Sequence, residues 1–204
     1  MELVDYMDAH ALLKGYKIRS VESRYAKSAT DAIKFSGGKP IVLKVLSQKA
    51  LHKNKNKLVE LNLSTEKEIT NSFNLLEKRA KKFRPYKIIA QKMVGKGIEI
   101  IIGGSVDAQF GKMVLLGLGG IYVETFKDFA LRLCPITKYD AKSMLRQLKS
   151  RYIIAPDTKS EKQITDLLLN VSRMFINTKI SELDLNPVIL HDGTYDAVDL
   201  RLIK

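Results

Sequence analysis

The segments ELDLNPVIL (182–190) and TYDAVDLRLIK (194–204) carry oxygen-bearing side chains on an alternating apolar frame. An Asp192-Gly193 dipeptide stands between them, a strong signal for a two-residue hairpin turn. Taking those two residues as the loop fixes the pairing: Asn186 faces Asp199, Asp184 faces Arg201, Leu185 faces Leu200 and Leu183 faces Leu202. The polar pairs then fall on one face and the leucine pairs on the other, as a half-buried ladder requires. Directly opposed side chains have Cβ atoms about 5 Å apart, so one hard cation could be shared by the Asn186 and Asp199 oxygens, with Glu182 on the same face. A solvent-facing polar pair satisfies the same pattern. Pro187, lacking an N–H, predicts an irregularity in the ladder.

Phosphate chemistry has its own candidates. Lys44 interrupts the apolar run IVLKVL (41–46); such a lysine ordinarily sits on the wet face, and a functional one would set its ammonium on a phosphate. His52 follows with Lys53 beside it. An imidazole there could act as a nucleophile toward phosphorus with cations supporting the negative charge, although a lone histidine in a basic loop is weak evidence. The stretch GLGGIYVETFKD (117–128) has glycines that let backbone amides approach an anion, or that simply make a tight connection. Glu99, inside GIEIII, could face solvent or meet a ribose hydroxyl or metal. His10 and His191 read as incidental, and Cys134, in LRLCP, reads as core.

These residues need elements to hold them. Residues 16–23 read as a strand, SATDAIKFS as a helix capped by Ser28 or Thr30 and stopped at Gly37-Gly38, and IVLKVL as a short apolar, β-branched strand. KLVELNLS alternates like a strand; STEKEITNSFNLLEKRAKKF begins with a capping pattern at Ser64 or Thr65 before Glu68 and has Ile69, Phe73 and Leu76 at helical spacing. KIIAQKMV (87–94) is the next strand. Eight of the twelve glycines then fall between Gly95 and Gly120, around two further strands. Helices are expected at 137–149 and 160–177 before the closing hairpin. The whole is an α/β chain of two subdomains, 1–94 and 95–204.

Composition bounds the function. The 45% apolar and 28% charged content belongs to a folded globular chain, and no apolar run approaches the ~20 residues that span a bilayer. The opening MELVDYMDAH shows no signal-peptide pattern, and a single cysteine excludes an internal disulfide, so a reducing cytoplasm fits. The net charge of +13 calls for an anionic partner. Aromatics are not interleaved with the cations as base stacking wants, which argues against nucleic acid, and the run EKRAKKFRPYK suits a helix C-terminus.

Taken together, IVLKVLSQKALHK, AQKMV, GIEIIIGGSVDAQFGKMVLLGLGGIYVETFKDFALRLCPIT, ELDLNPV and YDAVDLRLI resemble the β subunit of ADP-forming acyl-CoA synthetases, the ADP-forming acetate–CoA ligase family. The resemblance covers nearly the whole chain and implies an ATP-grasp fold with the nucleotide between two α/β subdomains. It implies ATP or ADP with Mg²⁺, the adenine near Gln91, Met93 and Val94, and Lys44 and Lys53 on the phosphate side. Glu99 would lie near ribose or metal, with Gly119 and Gly120 in the phosphate loop. Asn186 and Asp199 match the family's magnesium ligands, and His52 matches a histidine that receives a phosphoryl group and relays it to ADP. The implied partner is a CoA-binding α subunit in an α₂β₂ assembly, and the reversible reaction converts acyl-CoA, ADP and phosphate to acid, CoA and ATP.

Two stretches depart from the family pattern. Lys57-Leu58 stand where a glycine pair is expected, and IIAPDTKSE (153–161) replaces a glycine-arginine motif. A non-catalytic or regulatory ATP-grasp subunit is therefore the second reading, and a basic nucleic-acid-binding protein the third.

Overall fold

The computed structural model describes residues 2–49, 57–120, 128–191 and 193–204. The chain divides by contacts into two units, Val21–Met93, and Met1–Ser20 together with Val94–Lys204. The expected first subdomain, 1–94, therefore gives up its first twenty residues to the other unit. They hold helix α1 (Tyr6–Gly15), started by an Asp5 side chain that accepts the Met7 N–H, and they pair with the C-terminal strands through bridges Leu3–Ile203 and Ser20–Ala197. The strand expected at 16–23 is reduced to that second bridge and to Ser23, where a strand begins that runs on to Tyr25.

In the smaller unit, β1 (Ser23–Tyr25), α2 (Ala29–Ser36), β2 (Ile41–Leu46), β3 (Val59–Leu63), α3 (Glu66–Ala80) and β4 (Lys87–Lys92) follow in order. The strands form an antiparallel sheet, β1-β4-β2-β3. Ser28 caps α2 through the Asp31 N–H, and Gly37, left-handed at φ 54°, ends it. Thr65 and Glu68 make the reciprocal capping box of α3. Helical spacing puts Ile69, Phe73, Leu76 and Ala80 against Ile41, Leu43 and Val45, where burial of each large side chain contributes about 1.5–3 kcal/mol. Lys92 reaches back to cap the end of α2: its Nζ donates to the carbonyls of Phe35 (2.6 Å) and Ser36 (3.0 Å) and lies over the Phe35 ring.

The larger unit contains β5 (Ile98–Asp107), β6 (Gly111–Leu118), β7 (Phe129–Leu133), α4 (Lys138–Gln147), the short α5 (Arg151–Ile154), α6 (Thr158–Asn177), β8 (Glu182–His191), β9 (Thr194–Ala197) and β10 (Leu200–Ile203). Its antiparallel sheet runs β10-β8-β5-β6-β7, with β9 also on β8. Ile164, Leu168, Val171 and Phe175 line the buried stripe of α6, and Ile100, Ile102, Val114, Leu116, Leu183 and Leu185 the buried face of the sheet. Thr137 and Asp157 cap α4 and α6. Lys112 closes the far end of α6 as Lys92 closes α2, donating to the Phe175 and Thr178 carbonyls with its Nζ over the Phe175 ring. Cys134 lies just past β7 and is half-buried rather than core; that burial pushes its thiol pKa up. No helix among the described residues is long and apolar enough to cross a membrane.

Candidate functional site

The closing hairpin has the register read from its turn. Leu200 pairs with Leu185, Arg201 with Asp184 and Leu202 with Leu183, while β9 pairs Val188 with Ala197 and His191 with Thr194. Between these two stretches the second arm breaks at Val198-Asp199. The break sits opposite Pro187, whose carbonyl accepts the Val198 N–H at 3.0 Å, and the Asn186 N–H donates to the Asp199 carbonyl at 3.1 Å. Leu183, Leu185 and Leu200 are buried; Glu182, Asp184 and Asn186 are exposed and Asp199 is half-exposed. One Asp199 carboxylate oxygen accepts the Leu200 N–H at 3.1 Å. An amide and a carboxylate on paired backbones are the donor types that suit Mg²⁺, which keeps waters and substrate phosphates and takes only one or two protein ligands. No group of three or more His, Cys, Asp or Glu fit to hold a metal occurs among the described residues, so an all-protein cage is not what this surface offers.

Glu99 and the glycines meet at one end of the same sheet. The Gly119 N–H donates to the Glu99 carbonyl at 2.7 Å. A Cβ on Gly119 would stand 2.8–2.9 Å from the Glu99 backbone, which only glycine allows. Gly120 is left-handed at φ 73°, and a Cβ there would lie 3.3 Å from the Glu99 carboxylate. Glu99 itself is exposed on β5, opposite Ile189 of β8. The structure thus brings Glu99, Gly119 and Gly120 together, one strand over from Asn186.

In the smaller unit, Lys44 pairs with Ile89 on one side and Val59 on the other, and it is only 5% exposed. The wet-face placement usual for such a lysine does not apply, because β2 is buried from Ile41 through Val45. Gln91 is fully buried on β4 and its Nε2 donates to the Ser23 hydroxyl at 3.0 Å. Met93 is 42% exposed, and its N–H donates to the Pro40 carbonyl; Val94 opens the larger unit. His52 and Lys53 lie outside the described residues.

Lys57, where the family resemblance expects glycine, is left-handed at φ 51°. Its carbonyl accepts the Arg79 guanidinium at 2.9 Å, and Arg79 also pairs with Glu60 at 2.7 Å. Leu58 is fully buried, its carbonyl accepting the Val45 N–H. The backbone keeps a glycine-like turn while a lysine bears the conformational cost, about 1–2 kcal/mol.

Two structural carboxylates escape sequence reasoning. Asp196 is buried and accepts Arg19 Nε at 2.7 Å and His191 Nε2 at 2.9 Å, so His191 is an anchoring residue rather than an incidental one. Asp128 accepts the backbone N–H groups of Lys149 and Ser150, both at 2.8 Å. Partial burial works to raise its pKa, yet hydrogen bonds from Ser150 and Lys149 and the Lys149 charge bring it below the ordinary value. Only Asp196 could have been suspected, as a charge alternating with apolar residues.

Comparison with known proteins decides the family. A profile of the ATP-grasp domain matches residues 2–203. The chain is 34% identical over 208 residues to the β subunit of acetate–CoA ligase (ADP-forming) I of Pyrococcus furiosus, covering 96% of this chain and 89% of that one. The chain belongs to this ATP-grasp family of ADP-forming acetate–CoA ligase β subunits. A second Pyrococcus furiosus member of the family, the β subunit of isoform II, is 35% identical over 98% of this chain and 91% of its own. The fold agrees. A Candidatus Korarchaeum cryptofilum acetyl-coenzyme A synthetase solved with coenzyme A and Mg-AMPPCP, its phosphohistidine segment pointing towards the nucleotide binding site, superposes with a TM-score of 0.84 at 30% identity, covering 98% of this chain and 92% of that one.

Proposed function

We propose that the chain is the nucleotide-binding subunit of an ADP-forming acyl-CoA synthetase and relays a phosphoryl group through His52 to ADP. The observation that carries this reading is the Asn186–Asp199 neighbourhood, two oxygen-bearing residues whose backbones pair beside a leucine-backed ladder. Adenine lies by Gln91, Met93 and Val94, the phosphates by Lys44, Lys53, Gly119 and Gly120, and Glu99 by the ribose or metal. When bound, Mg²⁺ held by Asn186 and Asp199 neutralises charge on phosphate oxygens.

The remaining steps are shared between this chain and its partner. A CoA-binding α subunit forms acyl phosphate from acyl-CoA and phosphate, releasing CoA, and takes the phosphoryl group onto its own histidine as the free acid leaves. His52 accepts that group on a ring nitrogen and passes it to the terminal oxygen of ADP, giving ATP and regenerating the imidazole. Lys44 and Lys53 offset the repulsion between the incoming phosphoryl group and the nucleotide. An α₂β₂ assembly in the cytoplasm completes the reading.

Calorimetry with Mg-ADP tests it: binding with a micromolar-to-millimolar Kd is expected, and no heat at millimolar nucleotide overturns it. His52→Ala should abolish phosphoryl transfer while nucleotide affinity stays, and full turnover by that variant removes His52 from the relay. The lysine at the left-handed position 57 and the replaced segment 153–161 favour a second reading, a regulatory subunit that keeps the fold. Normal acid and ATP production on reconstitution with an α subunit excludes it.

A further inference from the structure

Glu99, Gly119 and Gly120 are held from behind by a residue that none of them touches through its side chain. Asp128 is the last residue before β7. Its carbonyl accepts the Leu118 N–H at 3.2 Å, and the next residue, Gly119, donates to Glu99. Gly117 gives Asp128 room, since a Cβ there would lie 3.2 Å from the Asp128 carbonyl oxygen. The Asp128 carboxylate, meanwhile, spends both oxygens on the Lys149 and Ser150 N–H groups at the turn that leads into α5. That helix packs against β5, the strand that carries Glu99. The contacts close a ring: β5 to β6 through Gly119, β6 to Asp128 through Leu118, Asp128 to the 149–150 turn, and that turn through α5 back to β5.

We propose that Asp128 is a positioning residue of the nucleotide site, fixing the Leu118–Gly120 backbone against Glu99 by clamping the 149–150 turn. The proposal rests on the nucleotide reading above. A carboxylate is required because two N–H donors arrive together: each oxygen accepts one, and the negative charge shortens and strengthens both bonds. An asparagine supplies one acceptor and aims an N–H at the other donor. With the clamp gone, Leu118 loses a fixed partner, and Gly119 and Gly120 no longer present their amides at one defined place. Misplacement of a positioning group by an ångström is enough to cost a large factor in site function.

The test is calorimetric titration of Mg-ADP into wild type, Asp128→Ala and Asp128→Asn. Stoichiometry reports the folded fraction and Kd reports the site, so the two roles separate. The expected result is a Kd raised about tenfold or more in Asp128→Ala, and raised in the same direction in Asp128→Asn, at unchanged stoichiometry. Lowered stoichiometry with wild-type Kd in the folded fraction assigns Asp128 to stability alone and overturns the proposal. Should Asp128→Ala fail to fold, Asp128→Asn decides by the same criterion. Absence of Mg-ADP binding by wild type overturns the nucleotide reading and this proposal with it, whereas wild-type binding with unchanged Kd in the variants overturns the proposal alone.

Discussion

Asn186 and Asp199 are neighbours through their main chains: the N–H of one donates to the carbonyl of the other at 3.1 Å. The ladder therefore holds their two backbones side by side across the break in the second arm. Flanking leucine pairs, buried on the other face, prevent the register from slipping by one residue.

Replacement of the carboxylate should raise the magnesium requirement and little else. Asp199→Asn keeps the side-chain volume and lies on a partly exposed face, so its Tm should stay within a few degrees of wild type. The Mg²⁺ concentration for half-maximal ADP binding should rise about tenfold or more. Magnesium titration at fixed ADP checks this, and an unchanged requirement removes Asp199 from the metal site.

Lys57→Gly should relieve strain. The lysine sits at φ 51°, where a Cβ is costly and glycine is at ease. After the larger unfolded-state entropy of glycine is subtracted, the gain is up to about 1 kcal/mol, or a Tm rise of roughly 2–4 °C. A thermal melt measures it; a lowered Tm would mean the side chain contributes more than the strain removes.

Gly119→Ala should be costly for the opposite reason. The new Cβ would meet the Glu99 backbone at 2.8–2.9 Å, so one strand end must move. A loss of about 1–3 kcal/mol in urea unfolding is expected, together with weaker Mg-ADP binding. Gly15→Ala, where a Cβ meets nothing within 4 Å, is the control and should not destabilise.

Acid sensitivity should track the helix caps. Glu68 accepts the Ser64 and Thr65 N–H groups at 2.9 Å, and these bonds hold its pKa below the ordinary 4.5. Asp140 and Asp157 are lowered likewise by Thr137 and Ser160. For a depressed carboxylate, stability is fully present above the unfolded pKa and is lost as pH falls through the folded one. Glu68→Gln should therefore lower Tm at neutral pH and flatten its decline between about pH 5 and 3; an unaltered slope would show that the cap carries no pH dependence.

Legibility in the sequence followed the range of the interactions. The hairpin register, the capping stretches at 28–30 and 64–65 (though not which residue caps) and the buried stripe of α3 were readable because partners lie within a turn or across one tight loop. The division of the chain was not. Leu3 and Ser20 find their partners at Ile203 and Ala197, and nothing in the local pattern of the first twenty residues announces a partner at the other end. Asp128 was invisible for a related reason, since it bonds backbone N–H groups that every residue but proline carries. Lys44 read as a wet-face lysine because its neighbours alternate too little to show that both sides of β2 are covered.

The lysines that close α2 and α6 give each unit its own chemical reporter. Lys92 and Lys112 keep their ammonium groups on two carbonyls and an aromatic ring apiece, one in each unit. Amine-acylating reagents must reach the nitrogen, so these two, held on carbonyls over an aromatic ring, should label late while exposed lysines label at once. Peptide mapping of that order would follow the opening of the two halves separately in one tube, without a fluorophore or a tag.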